Sequence, residues 1–257
     1  MLALVLPAAG CAGSGGMDET VVAPPSPGPT TTAAAEPPPE PVKCRDGREA
    51  RMRHRTEAYG AVLRRRTIAY KRPDGRRLKT FKKVNLNGAQ TVLGVVGVVT
   101  DSSCAPAWYR VQLPMRPNGA TGYVRAEDVE LFWLQTRIRV DLSARRIVLL
   151  RGGKRVLAVT AAVGSSETPT PTGRYYVNQI LKSADPAGPY GPLAIGISAF
   201  SPVLTGWTQG GPIAIHGTNQ PSSIGQSVSN GCLRVPNDVV RRLFRLVPAG
   251  TPVVIRA

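Results

Sequence analysis

The sequence predicts a mainly β protein in which two β-rich units follow a Pro-rich N-terminal region. Beyond residue 60, apolar runs are short and are separated by Gly, Pro, Asn and Asp, which is the pattern of strands joined by turns. One stretch, 236–247, instead places apolar residues at helical spacing. Shifts in composition divide the chain into four segments: residues 1–11, 12–43, 44–134 and 135–257.

The two N-terminal segments predict export. Residues 1–10 are apolar but too short to span a bilayer, and they are typical of the end of a secretion signal. The four residues ending at Cys11 resemble a bacterial lipoprotein processing site, in which the cysteine becomes the lipidated first residue; a plain cleaved signal is the alternative. Residues 12–43 are rich in Pro, Thr and Ala and predict a disordered tether. We therefore expect an exported protein of the bacterial cell envelope, anchored to the membrane by lipid on Cys11.

Residues 44–134 predict a small antiparallel β-barrel, because short β-type runs recur between turn-forming residues. The hairpin over 108–113, which closes on Gly122–Val124, is similar to bacterial SH3-like domains. That resemblance implies binding to wall peptide or glycan. The alternative is a spacer that packs on the following unit.

Two cysteines flank this middle unit. Cys44 and Cys104 lie too far from the other cysteines for zinc-ligand spacing. In an exported chain they could form a disulfide with each other. The alternative is that both are small buried apolar residues.

Charge is unevenly distributed and favours anionic partners. Residues 44–134 and 135–257 each have a net charge of +10, whereas residues 1–43 have a net charge of −3. Such a field attracts nucleic acid, anionic lipid or anionic wall polymers. Zinc-finger spacing, a basic region followed by heptads and an aromatic RNP-like run are all absent from the sequence, so we expect no nucleic-acid partner.

From residue 135 the predicted strands come in sequence order. Alternating runs over 138–142, 146–150 and 156–163 are joined by tight turns, and further runs lie at 174–177, 193–198, 212–216 and 252–255. The segment 168–173 contains two prolines that cannot donate to a strand ladder, and it is predicted to be a rigid loop. The helix is expected to begin at Pro236 or Asn237 and to end before Pro248.

The stretch 216–234 carries the chemistry. It begins with His216-Gly-Thr-Asn and ends with Ser229-Asn-Gly-Cys232-Leu-Arg234. A cysteine attacks a carbonyl as the thiolate, and an imidazole can take the thiol proton and later return it to a leaving amine. The Gly, Pro and Ser residues between them permit a fold-back that brings the two together.

These residues resemble the L,D-transpeptidase catalytic domain (YkuD-type) of bacterial cell-wall enzymes. The segments 168–173, 188–192 and 213–216 fit the same family, and the resemblance covers about residues 136–257. Many members carry a second histidine where this chain has Asn230, so no second imidazole is expected to act here.

The resemblance implies a YkuD-like β-sandwich or barrel with one or two helices, and a transpeptidase acting on peptidoglycan stem peptides. Cys232 would be the nucleophile and His216 the general base and acid. The family holds this histidine by a backbone carbonyl, for which the missing side chain of Gly217 should have no consequence. The remaining roles fall to five residues: N–H groups of Asn230, Gly231 and Cys232 in the oxyanion hole, Ser229 in shaping the turn, and Arg234 in binding a substrate carboxylate. The resemblance calls for no metal and no organic cofactor.

Several alternatives share these residues. Capture of the acyl group by water would make the chain an L,D-carboxypeptidase, and capture by a protein amine would make it an enzyme that anchors proteins to the wall. From another class, the chain could be a non-catalytic wall-binding lipoprotein in which the SH3-like unit acts.

Overall fold

The computed structural model describes residues 47–52, 54 and 56–257. The predicted signal, the tether, Cys11 and Cys44 lie outside the described residues. The fold is mainly β with one α-helix in the described part, which confirms the predicted fold class.

The first sheet contains eight antiparallel strands in the order β4-β3-β7-β6-β5-β2-β8, with β1 paired to β5. Apolar side chains that alternate along these strands, such as Leu93, Val95 and Val111, form its core. The SH3-like assignment of this unit stays a prediction. Its strands are β1 Glu49–Arg51, β2 Ala58–Leu63, β3 Thr67–Tyr70, β4 Arg77–Phe81, β5 Val92–Thr100, β6 Pro106–Gln112, β7 Thr121–Arg125 and β8 Val129–Leu134.

The second sheet has the order β11-β10-β9-β18-β13-β14-β15-β17, and it is mixed because β9 pairs with β18, and β15 with β17, in parallel. A two-stranded parallel pair, β12 with β16, lies beside it. The strands are β9 Thr136–Asp141, β10 Arg146–Arg151, β11 Lys154–Thr160, β12 Val163–Gly164, β13 Gly173–Lys182, β14 Leu193–Phe200, β15 Pro212–His216, β16 Ser227–Ser229, β17 Leu233–Arg234 and β18 Pro252–Arg256.

The single helix, α1, spans Asn237–Leu246 and covers one side of the second sheet. It contacts β14 and β15. Its buried residues Val240 and Leu243 join the core of the sheet. Asp238 lies in the first turn, where the helix dipole favours an anion.

The two sheets contact each other through polar side chains of the first unit. Arg116 donates to the carbonyls of Ser201 and Gly210 at 2.7 and 2.8 Å. Asn118 exchanges two hydrogen bonds with the backbone of Phe200, at 2.8 and 2.9 Å. The first unit therefore packs on the second, and its role stays a prediction.

Two further observations concern predictions about cysteine and membrane. Cys104 is disulfide-bonded, but the predicted partner Cys44 lies outside the described residues, so the pairing stays a prediction. Among the helices of the described residues, none has the length and apolarity needed to cross a bilayer.

Candidate active site

His216 ends strand β15 and is buried, with 3 % of its surface exposed. Its Nδ1 lies 2.6 Å from the carbonyl oxygen of Gly217; because a carbonyl only accepts, Nδ1 carries the hydrogen and Nε2 is the basic nitrogen. The backbone of Tyr190 also hydrogen-bonds to the ring. Burial lowers the pKa of His216 to about 4, and the two backbone hydrogen bonds oppose this shift.

Cys232 directly precedes strand β17, which pairs in parallel with β15 so that Leu233 lies opposite Ile215. Its side chain is partly exposed, and the thiol lies 3.9 Å from the carbonyl oxygen of Pro212. Burial raises the pKa of the Cys232 thiol, whereas a hydrogen bond from the backbone of Ala214 and the charge of Arg234 act in the opposite direction.

The register brings His216 and Cys232 to one face of the sheet. Ile215 and Leu233 are opposite each other and point into the core. Because side chains alternate, His216, Cys232 and Arg234 project to the other face. The charge of Arg234 lowers the pKa of both titratable groups. In the described residues the thiol hydrogen bond goes to Pro212 and not to the imidazole.

A hydrogen-bonded turn holds Cys232. The hydroxyl of Ser229 donates to the carbonyl of Cys232 at 2.6 Å and accepts from the N–H of Gly231 at 3.2 Å. Of the three oxyanion candidates, Gly231 is therefore engaged, while the N–H groups of Asn230 and Cys232 have no protein acceptor in the described chain. The φ of Gly231 is +102°, a conformation that side chains with a Cβ rarely adopt.

The loop over 165–172 braces this turn from behind, a role that sequence reasoning missed. Thr170 donates to the carbonyl of Gly231 at 2.8 Å and accepts from the N–H of Gly164 at 2.9 Å. Thr168 donates to the carbonyl of Ser229 at 3.0 Å. The predicted rigid loop thus positions the cysteine turn, and its Thr-Pro repeat was the available signal.

The position of Gly217 has no room for a side chain. A Cβ on Gly217 would lie 2.2 Å from Oδ1 of Asn237 and 3.0 Å from Pro192. That same Oδ1 accepts from the N–H of Thr218 at 2.8 Å. The carbonyl of Gly217 holds His216 without any contribution from a side chain, as expected, and a side chain would not fit there because Asn237 fills that space.

Two side chains border the site. Tyr190 is partly exposed, and its ring meets the His216 ring edge-on with centroids 5.0 Å apart. Arg234 is half-buried and donates to the side-chain oxygen of Gln220 at 3.1 Å. Tyr190 was not singled out from the sequence, although it lies in the segment 188–192 that carries part of the resemblance.

The part of the chain that the structure describes holds no cluster of three or more His, Cys, Asp or Glu side chains suited to a metal ion. His54, the second histidine, is exposed, and its backbone carbonyl accepts from Arg137. The arrangement places a neutral imidazole and a partly exposed cysteine on one face of the sheet.

Comparison with known proteins gives one family. Residues 135–255 match the model of the L,D-transpeptidase catalytic domain, YkuD. A Bacillus subtilis protein assigned as the L,D-transpeptidase YkuD is 36% identical over 118 residues, which cover 46% of this chain and 64% of that protein. An Escherichia coli protein assigned as the L,D-transpeptidase ErfK/SrfK is 43% identical over 91 residues, or 34% of this chain and 26% of that protein. A crystal structure of a mutant Enterococcus faecium L,D-transpeptidase is 27% identical with a TM-score of 0.38, covering 47% of this chain and 49% of that one.

Proposed function

We propose, from the premise that residues 135–255 belong to the YkuD family of L,D-transpeptidase catalytic domains, that this protein is a peptidoglycan L,D-transpeptidase. The observation that carries the proposal is the placement of His216 and Cys232 on one face, beside the charge of Arg234. The chain spans 64% of the length of its Bacillus subtilis relative, so the activity of the whole protein is part of the proposal.

The first step begins from a neutral pair. The lowered pKa of His216 and the raised pKa of the Cys232 thiol favour a thiol and a free imidazole over a preformed ion pair. The Cys232 side chain would rotate from the Pro212 carbonyl toward the imidazole, which takes the proton as sulfur attacks. The sulfur–carbon bond forms at the carbonyl of the third residue of a tetrapeptide stem. The carbon–nitrogen bond to the terminal D-alanine then breaks, and His216 returns the proton to the leaving amine.

The second step releases the enzyme. The side-chain amine of a neighbouring stem attacks the thioester, so that a carbon–nitrogen bond forms, the carbon–sulfur bond breaks, and the amine proton passes through His216 to the sulfur. The product is a 3→3 cross-link. Water or a protein amine at the same point would give the carboxypeptidase or the protein-anchoring reaction.

The turn and its neighbours would assist both steps. The N–H groups of Asn230 and Cys232 are the donors left for the developing oxyanion, because that of Gly231 is bound by Ser229. Arg234, which is half-buried on the same face, would bind a carboxylate of the substrate with its guanidinium fork.

The test is mass spectrometry of disaccharide tetrapeptides incubated with the protein. We expect the wild type to remove one D-alanine and form dimers, and Cys232→Ala to do neither. His216→Asn should slow the reaction by at least about 100-fold, whereas His54→Asn at the exposed histidine should not. A carbapenem should add one acyl unit to the wild type and none to Cys232→Ala.

Each result has a defined meaning. Release of D-alanine without dimers would assign the carboxypeptidase reaction instead. Equal turnover by Cys232→Ala would remove the enzyme proposal altogether. On the basis of this proposed substrate class we also propose that the protein is exported to the cell envelope and lipidated at Cys11, which lies outside the described residues.

A further inference from the structure

A second charged region lies on the outer side of the second sheet, on strands other than those of the active site. Ile138, Val140, Ile147, Val253 and Ile255 point into the core, so the residues that alternate with them point outward. Five of these outward residues are arginines, which we call the arginine face: Arg137, Arg139, Arg146, Arg174 and Arg256.

The register aligns these arginines in rows across the strands. Arg139 and Arg174 both pair with Val254, one from each side. Arg146 and Arg256 both pair with Asp141 in the same way. Neighbouring strands are about 4.8 Å apart, so the two arginines of each row start about 10 Å apart and can approach one group from opposite sides.

The arginine face is concave. Its residues line a cavity of about 300 Å³. The lining contains one acidic residue, Asp141, whose carboxylate already accepts from Ser143 and from the N–H of Ala144 at 2.8 Å each. Arg174 also lines an adjoining concavity with Arg51, Arg110 and Glu49 of the first unit; because Glu49 pairs with Arg110, Arg51 is the arginine that extends the basic path there.

The arginine face keeps a net positive charge within the described chain, because its lining contains five arginines and a single carboxylate, that of Asp141. The ion pairs among the described residues all lie in the first unit, and none includes these five arginines. Burial lowers the pKa of Arg137, and the charges of Arg139 and Arg174 lower it further. Like charges packed this closely repel one another, and an anion bound among them would relieve that repulsion.

We propose that the arginine face binds an anionic polymer with repeated phosphodiester groups. Guanidinium groups bind phosphate through paired N–H donors. Each phosphodiester presents two charged oxygens, so arginines from two strands can each bind one of them. The continuation past Arg174 suits a chain of such groups better than a single ion.

Two other polyanions fit the surface less well. Nucleic-acid sites of this kind add aromatic side chains on which bases stack, and the cavity lining contains no aromatic residue. A flat anionic membrane would meet a concave surface whose lining valines are buried (Val140) or half-buried (Val148 and Val254). We therefore place a phosphodiester polymer without bases in the groove.

The test measures binding of the full chain to synthetic poly(glycerol phosphate) over a range of salt concentrations. Arg139→Ala with Arg174→Ala should weaken binding at least tenfold and reduce the slope of log K against log salt by roughly 1. Arg139→Lys with Arg174→Lys keeps the charge but loses the paired N–H donors of the guanidinium. Its affinity should fall between that of wild type and that of the alanine pair. The control is Arg72→Ala with Arg76→Ala, a pair of exposed arginines in the β3–β4 hairpin, which should bind within twofold of wild type.

Three outcomes would overturn the proposal. One is an equal loss in the control pair, which would mean that only net charge acts. Another is binding of poly-glutamate as tight as that of the phosphate polymer. The third is tighter binding of single-stranded DNA or phosphatidylglycerol vesicles that also depends on Arg139 and Arg174. Carbapenem acylation of Cys232 in the same variants should match wild type, which shows that the fold is intact and keeps this test separate from the proposed function.

Discussion

The cysteine turn and the arginine face belong to one sheet, but they differ in whether their polar groups find partners within the protein. At the turn, hydroxyls of Ser229, Thr168 and Thr170 each bind a backbone carbonyl of the turn. On the arginine face, four exposed arginines and the half-buried Arg137, which donates to the carbonyl of His54, form no ion pair in the described residues. The protein itself satisfies the carbonyls of the first region, whereas the second has charge left for an external partner.

The difference follows from burial. A buried polar group costs free energy unless it is hydrogen-bonded, so the turn must satisfy its groups internally. His216 extends the same rule, because burial keeps its imidazole neutral. Exposed arginines remain hydrated and can stay unpaired at little cost, which leaves them available for binding. Substitutions at the turn should therefore destabilise the protein strongly, whereas substitutions on the arginine face should change its stability little.

The largest effect that we expect is loss of stability in acid through His216. Its pKa is lowered to about 4 in the folded protein from an ordinary value of 6.5. The unfolded chain thus takes up a proton between these values while the folded protein does not. Stability is complete above pH 6.5 and falls by about 3 kcal/mol as the pH drops to 4.

Urea unfolding from pH 4 to pH 8 checks this. The difference in stability between wild type and His216→Asn should change across that window, and the difference between wild type and His54→Asn should not. A flat difference for His216→Asn would mean that the pKa of the imidazole is the same in the folded and the unfolded protein.

The next effect concerns Gly164, at the back of the turn. A Cβ there would lie 2.4 Å from the carbonyl oxygen of Thr168 and from the N–H nitrogen of Thr170, both backbone atoms. Gly164→Ala should therefore cost about 3 kcal/mol, because the backbone must move. Gly206→Ala, where no atom lies within 4 Å of the added Cβ, is the matched control and should cost little. Thermal unfolding of the two variants measures the difference, and equal melting temperatures would contradict it.

A smaller effect is expected at Thr170, which joins Gly164 to Gly231 through one hydroxyl. Thr170→Val keeps the shape but leaves a buried N–H and a buried carbonyl without that partner, at a cost of about 2 kcal/mol. Carbapenem acylation of Cys232 should also slow, because the turn loses its brace. Thr172→Val, at an exposed threonine of the same loop, should change neither stability nor acylation. If Cys232 is acylated at the wild-type rate in both variants, the hydrogen bonds of Thr170 do not position the cysteine.

Local patterns in the sequence predicted much of this fold and the central pair. Alternation predicted strands close to β9 and β10, and helical spacing predicted α1 to within a residue at its start. The contact of Gly217 with Asn237 could not be predicted, because it depends on how a helix packs behind a strand end. The arginine face shows the same limit. Arg137 and Arg139 alternate visibly along one strand, but Arg174 and Arg256 join them only through the order β9-β18-β13, in which no neighbours are consecutive in the chain.

The smallest effect that we expect is a gain in stability. It tests the contrast between the turn and the arginine face most directly. If the arginine face lacks an internal partner, removing charge from it should relieve repulsion and not break an interaction. Arg139→Gln with Arg174→Gln should then stabilise the protein by about 0.3 kcal/mol at low salt. The gain should disappear in 0.5 M salt, where screening acts over about 4 Å. Arg72→Gln with Arg76→Gln should give no gain in unfolding measured under the same two conditions. A loss of stability in the first pair would show that the two arginines bind within the protein, and the contrast between the turn and the arginine face would then fail.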